Sequence, residues 1–351
     1  MRAVILTCGD PDALTGGSLY HRRIAARASR TGVEIDVRPL DHGDDPTAIA
    51  SDADVVVVDS IVASRVRPSR FGVPVVASVH QRPGGLTGAS LARMVGARLD
   101  LRCYRAARAV VAPSTFLAAV LERGGVPPER IRVVPPGRDM PAEGAGRRSG
   151  DRRDAPGTSF VCVSNLSPHK RPLDLLEAFA SLDDPAATLT LVGGARDARL
   201  TDRVRSRLRR PDLAGRATWV GPLAPEAVAE RLGRSDVFVL PALDEAYGMA
   251  VAEALGLGLP AIVARSGNLP AIVSNGVDGI VVAPRDTAAL AGAMRRFARD
   301  PELRNWMSAA ARAGAKRFPT WDETARRFAA TLVEVQAAVA ERDADAPSSS
   351  R

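Results

Sequence analysis

Cysteine is scarce, and the three cysteines of the chain suggest neither a disulfide nor a metal site. Cys8, Cys103 and Cys162 are odd in number, far apart and without a nearby pair of Cys or His. A disulfide framework or a zinc site needs closely spaced pairs of such residues. We therefore expect three small thiol side chains in the core.

Long hydrophobic runs are missing too, which excludes a membrane-spanning protein. No segment approaches the ~18 uncharged apolar residues of a transmembrane helix. The first residues, MRAVILTCGDPD, contain only a short apolar run, unlike a secretory signal. The 46% of hydrophobic residues is typical of a soluble globular protein, which we expect in the cytoplasm. With 351 residues, the chain exceeds the roughly 250–300 that share one core, so we expect two domains.

Lysine is almost absent. Of 48 basic residues only Lys170 and Lys316 are lysines, and the rest are arginines. The net charge is +8, but the basic residues are interleaved with 40 acidic ones along the whole chain, which favours a charged surface over a nucleic-acid partner. In such a composition a lysine indicates a position where a compact ammonium does what a guanidinium cannot.

Short Val- and Ile-rich runs alternate with helical segments in both halves of the chain. Their continuous apolar character is typical of parallel strands covered by helices on both faces. The predicted strands lie at 3–8, 34–40, 55–60, 73–79, 107–113, 131–137, 159–164, 187–193, 217–221, 237–241, 260–264 and 279–284. The pattern predicts an α/β protein with two Rossmann-like, doubly wound domains facing a central cleft.

The domain boundaries follow from composition. We expect an N-terminal domain over residues 1–140, a linker rich in Gly, Pro and Arg over 141–158, and a C-terminal domain over 159–318. A last helix is predicted over 319–340 and a disordered tail over 341–351.

The most specific motif is DEAYGMAVAEALGLGLP at 244–260. Its backbone amides near Gly248 are predicted to lie at a helix N-terminus, which favours anions and lets a phosphate approach closely. Glu253, about one and a half turns into that helix, could hold two vicinal hydroxyls, and Glu245 another part of the same ligand. For either glutamate alone, an exposed or helix-capping role remains the simpler interpretation.

Three further features stand at the ends of predicted strands. Lys170 lies at a strand-to-helix turn, where its ammonium can meet a phosphate. Gly16 and Gly17 precede a helix, although no G-x-G-x-x-G fingerprint is present. His80 directly follows a central strand and can hydrogen-bond a substrate, although a lone histidine is more often structural.

Together these residues resemble a known enzyme family. The resemblance rests on Glu245 with Glu253, on the segments 258–286 and 167–179, on Gly16–Gly17 and on the sequence SVH at 78–80. The resemblance spans nearly the whole chain. The chain is similar to the group 1 family of retaining, nucleotide-sugar-dependent glycosyltransferases with the GT-B fold. It implies transfer of a hexose from a nucleotide-diphosphate sugar to a small-molecule or lipid acceptor, with no resident cofactor.

The resemblance also implies roles for single residues. Glu245 would contact the transferred sugar, Glu253 the ribose hydroxyls, and His80 would lie beside the donor sugar and the acceptor. The last helix would cross back onto the first domain. The positions expected to bind the donor diphosphate are Lys170, Asn165, Gly16, Gly17 and the backbone amides of Tyr247, Gly248 and Met249.

The chain departs from the family pattern at three places. Asn165 stands where the family has an arginine, so one charge contact to the diphosphate is missing unless another arginine supplies it; the candidates are Arg171, Arg196 and Arg265. Ala271 replaces a glutamate, and Pro136–Gly137 replaces an Asn-Gly turn.

The predicted site needs no metal. One cation and several fixed amides can stabilise the negative charge that develops on the leaving diphosphate. A metal-dependent glycosyltransferase would need an Asp-x-Asp after a strand, whereas Asp52-Ala53-Asp54 precedes one and is interpreted as a turn.

Two other functions remain open. A nucleotide-sugar 2-epimerase also has two facing Rossmann-like domains. A non-catalytic protein that binds membrane surfaces would use the basic helix face formed by Arg98, Arg102, Arg105 and Arg108, which is otherwise interpreted as solvated. Such a face would equally suit a peripheral enzyme.

Overall fold

The computed structural model describes residues 1–10, 12–13, 15–85, 90–138 and 157–344. The chain divides into two compact units: unit 1 consists of Met1–Gly137 with Pro319–Arg351, and unit 2 of Arg138–Phe318. Residues 141–156 of the predicted linker and 345–351 of the predicted tail lie outside the described residues.

Unit 1 contains a parallel six-stranded sheet with the strand order β2-β1-β3-β4-β5-β6. The strands are β1 Arg2–Thr7, β2 Glu34–Pro39, β3 Val55–Asp59, β4 Val75–Ser78, β5 Ala109–Ala112 and β6 Ile131–Val133. The α-helices are α1 Gly16–Ala28, α2 Pro46–Ile49, α3 Ser90–Ala106 and α4 Thr115–Arg123.

Unit 2 contains a second parallel six-stranded sheet, ordered β12-β11-β10-β7-β8-β9. Its strands are β7 Ser159–Val163, β8 Thr188–Val192, β9 Ala217–Trp219, β10 Val237–Leu240, β11 Ala261–Ala264 and β12 Gly279–Val282. Its helices are α5 Pro172–Ala180, α6 Ala198–Leu208, α7 Pro225–Gly233, α8 Met249–Gly256, α9 Leu269–Ile272, α10 Thr287–Arg299 and α11 Pro301–Gly314.

The strands are buried because helices cover both faces of each sheet. Val55, Val56, Val57 and Val58 of β3 are all fully inaccessible to solvent, which explains why the run is continuously apolar instead of alternating. In each sheet, successive strands are added first on one side of the starting strand and then on the other. This change of side, the switch point, lies between β1 and β3 in unit 1 and between β7 and β10 in unit 2. Ligands of such sheets bind at the carboxyl ends of the strands at this switch point.

The last helix, α12 Trp321–Ala344, belongs to unit 1 and packs on α1. The ring of Tyr20 on α1 lies 6.1 Å from that of Trp321 and 6.2 Å from that of Phe328. A Cβ on Gly137 would lie 2.4 Å from the Trp321 backbone, so only glycine fits where α12 begins. The helix includes residues 341–344, which were predicted to belong to a disordered tail.

Two sequence interpretations need correction. Cys8 is exposed, whereas Cys103 and Cys162 are buried; burial raises the pKa of their thiols to about 12 and about 11. The predicted basic face is shorter than expected, because α3 ends at Ala106 and Arg108 lies beyond it. Among the described helices, none is long and apolar enough to cross a bilayer.

Candidate active site

Two predicted site residues meet at the switch point of unit 2. Lys170 ends a short 3-10 turn, Pro168–Lys170, after β7, and Glu245 lies in the loop after β10. The Nζ of Lys170 donates to Oε2 of Glu245 in an ion pair. Both side chains are mostly buried, at 19% and 15% exposure, so the pair is only partly screened by water. The adjacent strands therefore bring one cation and one anion together where a ligand is expected.

The loop that carries Glu245 is held by residues 266–268, which follow β11. Ser266 Oγ accepts from the Asp244 amide at 2.9 Å, and the Asn268 amide donates to the Glu245 carbonyl at 2.8 Å. The Asn268 side chain donates to the Tyr247 carbonyl at 3.0 Å. Gly267 has a φ of +60°, and a Cβ there would lie 2.3 Å from the Glu245 carbonyl oxygen. Residues 266–268 belong to the segment 258–286 on which the family resemblance rests, but their contacts with the Glu245 loop were not predicted.

The N-terminus of α8 lies beside this pair. Gly248 precedes the helix with a φ of +104° and provides no side-chain cap. The first amides of a helix lack intrahelical partners, so those of Met249 and Ala250 are available to an anion, whereas the Val251 amide already donates to the Gly248 carbonyl at 3.0 Å. A Cβ on Gly248 would be 3.1 Å from Leu269 and Ile272 and 3.7 Å from Glu245 Cγ. The positive φ together with these close contacts therefore favours glycine here whether or not a phosphate binds.

Two other predicted residues occupy different surroundings. Glu253 is partly buried in the second turn of α8. Asn165 accepts a hydrogen bond from the Gly194 amide at 2.8 Å, which joins the loops after β7 and β8. Of the arginines considered as substitutes for the missing family arginine, Arg171 is ion-paired with Asp174, whereas Arg196 and Arg265 are exposed.

His169 was not predicted from the sequence as a site residue. Its carbonyl accepts from the Leu243 amide at 2.7 Å, which fixes the Lys170 turn to the loop after β10. Burial, and then the neighbouring Lys170 ammonium, lowers the pKa of His169 to about 4. The imidazole is therefore neutral at pH 7. A neutral ring next to Lys170 leaves the ammonium as the local positive charge.

In unit 1 the structure brings Gly17 and His80 together. Thr15 caps α1, which begins at Gly16. A Cβ on Gly17 would make ordinary contact with the His80 ring at 3.6 Å, so packing among the described residues of unit 1 does not itself require this glycine. Burial is the main cause that lowers the pKa of His80 to about 4, followed by His21. The side chains of His21, Asp59 and Ser78 around it were not predicted from the sequence.

Asp52 and Asp54 have structural partners before β3. Asp52 is ion-paired with Arg2 and Arg38, at 2.8 and 2.7 Å, and Asp54 accepts from the Arg2 amide at 2.7 Å. These contacts agree with the interpretation of a turn into the strand. Across the described ranges, no group of three or more His, Cys, Asp or Glu residues is placed to hold a metal ion.

Comparison with known proteins gives matches in both halves of the chain. A family model described as "Glycosyl transferases group 1" matches residues 152–314, and one described as "Glycosyltransferase Family 4" matches residues 15–140. The chain belongs to the group 1 glycosyltransferase family. The Lys170–Glu245 pair and Gly248 lie within the first match, and Gly16, Gly17 and His80 lie within the second.

Curated relatives carry the name D-inositol 3-phosphate glycosyltransferase. The protein from Acidothermus cellulolyticus is 31% identical over 280 residues, which is 74% of this chain and 62% of the relative. The protein from Rhodococcus jostii is 30% identical over 283 residues, covering 73% of this chain and 60% of the relative. The match thus spans about three fifths of these relatives.

Solved structures share the GT-B fold of this group 1 glycosyltransferase at low sequence identity. Sucrose-phosphate synthase from Thermosynechococcus elongatus aligns with a TM-score of 0.81 at 20% identity, covering 96% of this chain and 99% of that one. Anabaena HepE in complex with UDP-glucose aligns with a TM-score of 0.78 at 19% identity, covering 95% and 100%. The predicted fold class is confirmed.

Proposed function

We propose that this group 1 glycosyltransferase moves a hexose from a nucleotide-diphosphate sugar to an acceptor hydroxyl, with retention and without a metal. The observation that carries the proposal is the Lys170–Glu245 pair at the switch point, directly beside the uncapped N-terminus of α8. An ammonium and free amides suit a diphosphate, and a carboxylate suits sugar hydroxyls. The solved structure of Anabaena HepE, which shares this fold, is a complex with UDP-glucose.

Each site residue has a proposed task. Lys170 and the amides of Tyr247, Gly248 and Met249 hold the diphosphate. Glu253 accepts from the ribose hydroxyls. Gly17, which no contact with a described residue of unit 1 requires, allows a phosphate to approach, as does Gly16 before it. Asn165 shapes the loop after β7 instead of replacing the family arginine.

The chemistry is electrostatic. As the bond between the sugar and the diphosphate breaks, negative charge develops on the diphosphate and positive charge on the sugar. Lys170 and the α8 amides stabilise the first, at about 2.7–4 kcal/mol for a well-placed donor. We expect EDTA to leave the rate unchanged; a loss of rate that Mn²⁺ restores would contradict metal-independent transfer.

Retention follows by either of two routes that use the same residues. The acceptor can attack on the face that the diphosphate leaves, or Glu245 can form a covalent glycosyl intermediate. A slow fluorinated donor separates them: a sugar adduct on Glu245, detected by mass spectrometry, supports the covalent route. Absence of a sugar adduct on Glu245 while the donor is consumed supports same-face attack.

The acceptor is proposed to be anionic. The curated relatives act, by name, on an inositol phosphate. In unit 1 a cavity of about 280 Å³, formed by the segments that follow β2 and β3, is lined by Arg65, Arg67 and Arg70 together with Asp45 and Thr47. Arg67→Ala should raise the KM of a phosphorylated acceptor but not of its unphosphorylated form. Arg299→Ala, an exposed change at the end of α10, is the control.

A peripheral contact with anionic membranes is a second proposal, carried by α3. Leu91, Met94 and Val95 are 72%, 55% and 48% exposed, an unusual cluster, and Arg98 and Arg102 follow along the helix. Apolar residues beside basic ones suit a bilayer with anionic lipids. The protein should co-sediment with phosphatidylglycerol vesicles at low salt, and Met94→Asp should abolish this. Recovery in the supernatant would reject the contact.

The deciding experiment is a thermal-shift screen of nucleotides and nucleotide sugars. A ligand at about 100 times its Kd stabilises the folded protein by about 2.7 kcal/mol. The best donor is then incubated with and without candidate acceptors. Conversion of the donor alone into an epimer would identify a 2-epimerase, and absence of any shift would contradict the proposed donor class.

A further inference from the structure

A cluster of buried polar side chains lies at the carboxyl edge of the unit 1 sheet. Asp59 ends β3, Ser78 ends β4, His80 follows β4, and His21 comes from α1. The relative exposures of Asp59, His21 and Ser78 are 3%, 1% and 0%. Burying this much polarity costs free energy unless each group has a partner, so the contacts among them are informative.

The side chains form a chain of close contacts that leads to His80. Oδ2 of Asp59 lies 3.5 Å from Nδ1 of His21, and Nε2 of His21 lies 2.9 Å from Nε2 of His80. Ser78 Oγ lies 3.1 Å from the same nitrogen of His80 and 3.5 Å from Nε2 of His21.

The Asp59 carboxylate determines where the proton of His21 lies. It accepts from Thr7 Oγ1 at 3.0 Å, from Ser60 Oγ at 3.1 Å and from the Ile61 amide at 3.2 Å. With three donors directed at it, it acts as an acceptor only. Nδ1 of His21 makes no hydrogen bond among the described residues, but a bare lone pair there would face these oxygens at 3.5 Å and be repelled, so Nδ1 carries the hydrogen.

Both imidazoles are neutral at neutral pH. Burial lowers the pKa of His21, and it lowers that of His80 to about 4; in both cases Asp59 opposes the shift. The ring of Tyr20 packs edge-on against His80 at 4.9 Å, and burial raises its pKa, so it adds no charge. Each imidazole therefore has one N–H and one lone pair.

The positions of the remaining protons follow. Since His21 has its hydrogen on Nδ1, its Nε2 is a lone pair and needs a donor. The Nε2 of His80, 2.9 Å away, must supply that hydrogen, with Ser78 Oγ as a second acceptor. His80 is then left with a lone pair on Nδ1, an atom that makes no hydrogen bond within the part of the chain that the structure describes.

We propose that His21 and Asp59 are positioning residues that hold His80 in its Nε2–H tautomer, so that Nδ1 accepts a hydrogen bond from a hydroxyl of the sugar or the acceptor. The inference rests on the proposed function for the identity of that hydroxyl. The tautomer itself is a property of the free protein. A charged or Nδ1–H imidazole could not accept this bond.

Long-range ¹H–¹⁵N NMR of the full-length protein tests the tautomer directly. The chain has only four histidines, so His80→Ala assigns the signal of His80 by its loss. The wild-type protein at pH 7 should show a neutral His80 with its proton on Nε2. A proton on Nδ1, or a charged ring, overturns the proposal without any variant having to fold.

A matched pair of variants tests the role of His21. His21→Gln keeps an acceptor at the position of Nε2, whereas His21→Leu removes it at similar volume. His21→Leu should mix the two tautomers of His80 and lower kcat about tenfold with the donor KM unchanged, since one oriented hydrogen bond is lost. His21→Gln should retain the tautomer and most of kcat. Equal behaviour of the two variants would indicate a merely structural role.

Asp59→Asn is the second variant, and it should mix the tautomers because the carboxylate no longer selects one. A folded Asp59→Asn protein with the wild-type tautomer would overturn the part assigned to Asp59. Wild-type turnover by His80→Ala would instead contradict the proposed function of His80. The two failures are therefore distinguishable.

Discussion

At the scale of single residues, the abundance of arginine made Lys170 informative. One of only two lysines lies at the switch point of unit 2. Its ion pair with Glu245 was not predictable, because that contact depends on β7 and β10 being neighbours in the sheet although they are far apart in sequence. His21 and Asp59 were missed for the same reason, since their partners lie on separate elements.

The Lys170–Glu245 pair predicts opposite effects on nucleotide binding for its two members. Glu245→Gln removes the anion that occupies the ammonium, so a nucleoside diphosphate should bind about tenfold more tightly while kcat falls at least a hundredfold. Lys170→Ala should weaken both binding and turnover. Calorimetry and initial rates measure these effects, and Lys316→Ala, an exposed lysine, serves as control. If Glu245→Gln does not bind the nucleoside diphosphate more tightly, the Lys170–Glu245 pair does not compete with the ligand.

His169 predicts a pH dependence of stability. Its pKa is about 4 in the folded protein against 6.5 unfolded. Above pH 6.5 both states leave it neutral; as the pH falls towards 4 only the unfolded state takes up the proton, so stability is lost with acidification. At pH 5 the loss is about 2 kcal/mol for this residue. Urea unfolding at pH 7.5 and 5.0 should show a smaller difference for His169→Asn than for the exposed His42→Asn. Equal differences would contradict the buried state of His169.

At the scale of elements, the predicted strands were all found, and each of their ends lies within four residues of the prediction. Continuous apolar runs made them visible, whereas the helices α2, α9, α10 and α11 were not predicted. Which strands pair and which loops contact one another could not be predicted from the sequence, because these contacts join residues far apart in the chain. The clamp formed by residues 266–268 is the clearest example.

That clamp predicts the effect of Gly267→Ala. The new Cβ would overlap the Glu245 backbone, so we expect Glu245 to be displaced and kcat to fall by at least an order of magnitude. Gly276 has a similar φ of +79° but open space around it, so Gly276→Ala should cost about 1 kcal/mol of stability and leave kcat unchanged. Measured rates and unfolding curves compare the two variants. Equal rates would mean that the loop tolerates the change.

At the scale of the whole molecule, unit 1 is built from two distant parts of the chain, and α12 completes its core. Phe328 is fully buried against Tyr20. Phe328→Ala should cost about 3–5 kcal/mol, and hydrogen exchange should rise in unit 1 strands such as β1 but not in unit 2. Val333, 48% exposed on the same helix, gives the control Val333→Ala. Exchange that rises equally in both units would show that they unfold together.

The position of α12 in the sequence also orders events during translation. All of unit 2 leaves the ribosome as one uninterrupted stretch and has every residue it needs before Trp321 is added. The N-terminal strands, although made first, must wait for the last helix with the surface around Tyr20 uncovered. Synthesis of unit 2 is thus complete before synthesis of unit 1, although unit 1 was started first. A holdase chaperone would therefore bind the exposed surface of unit 1.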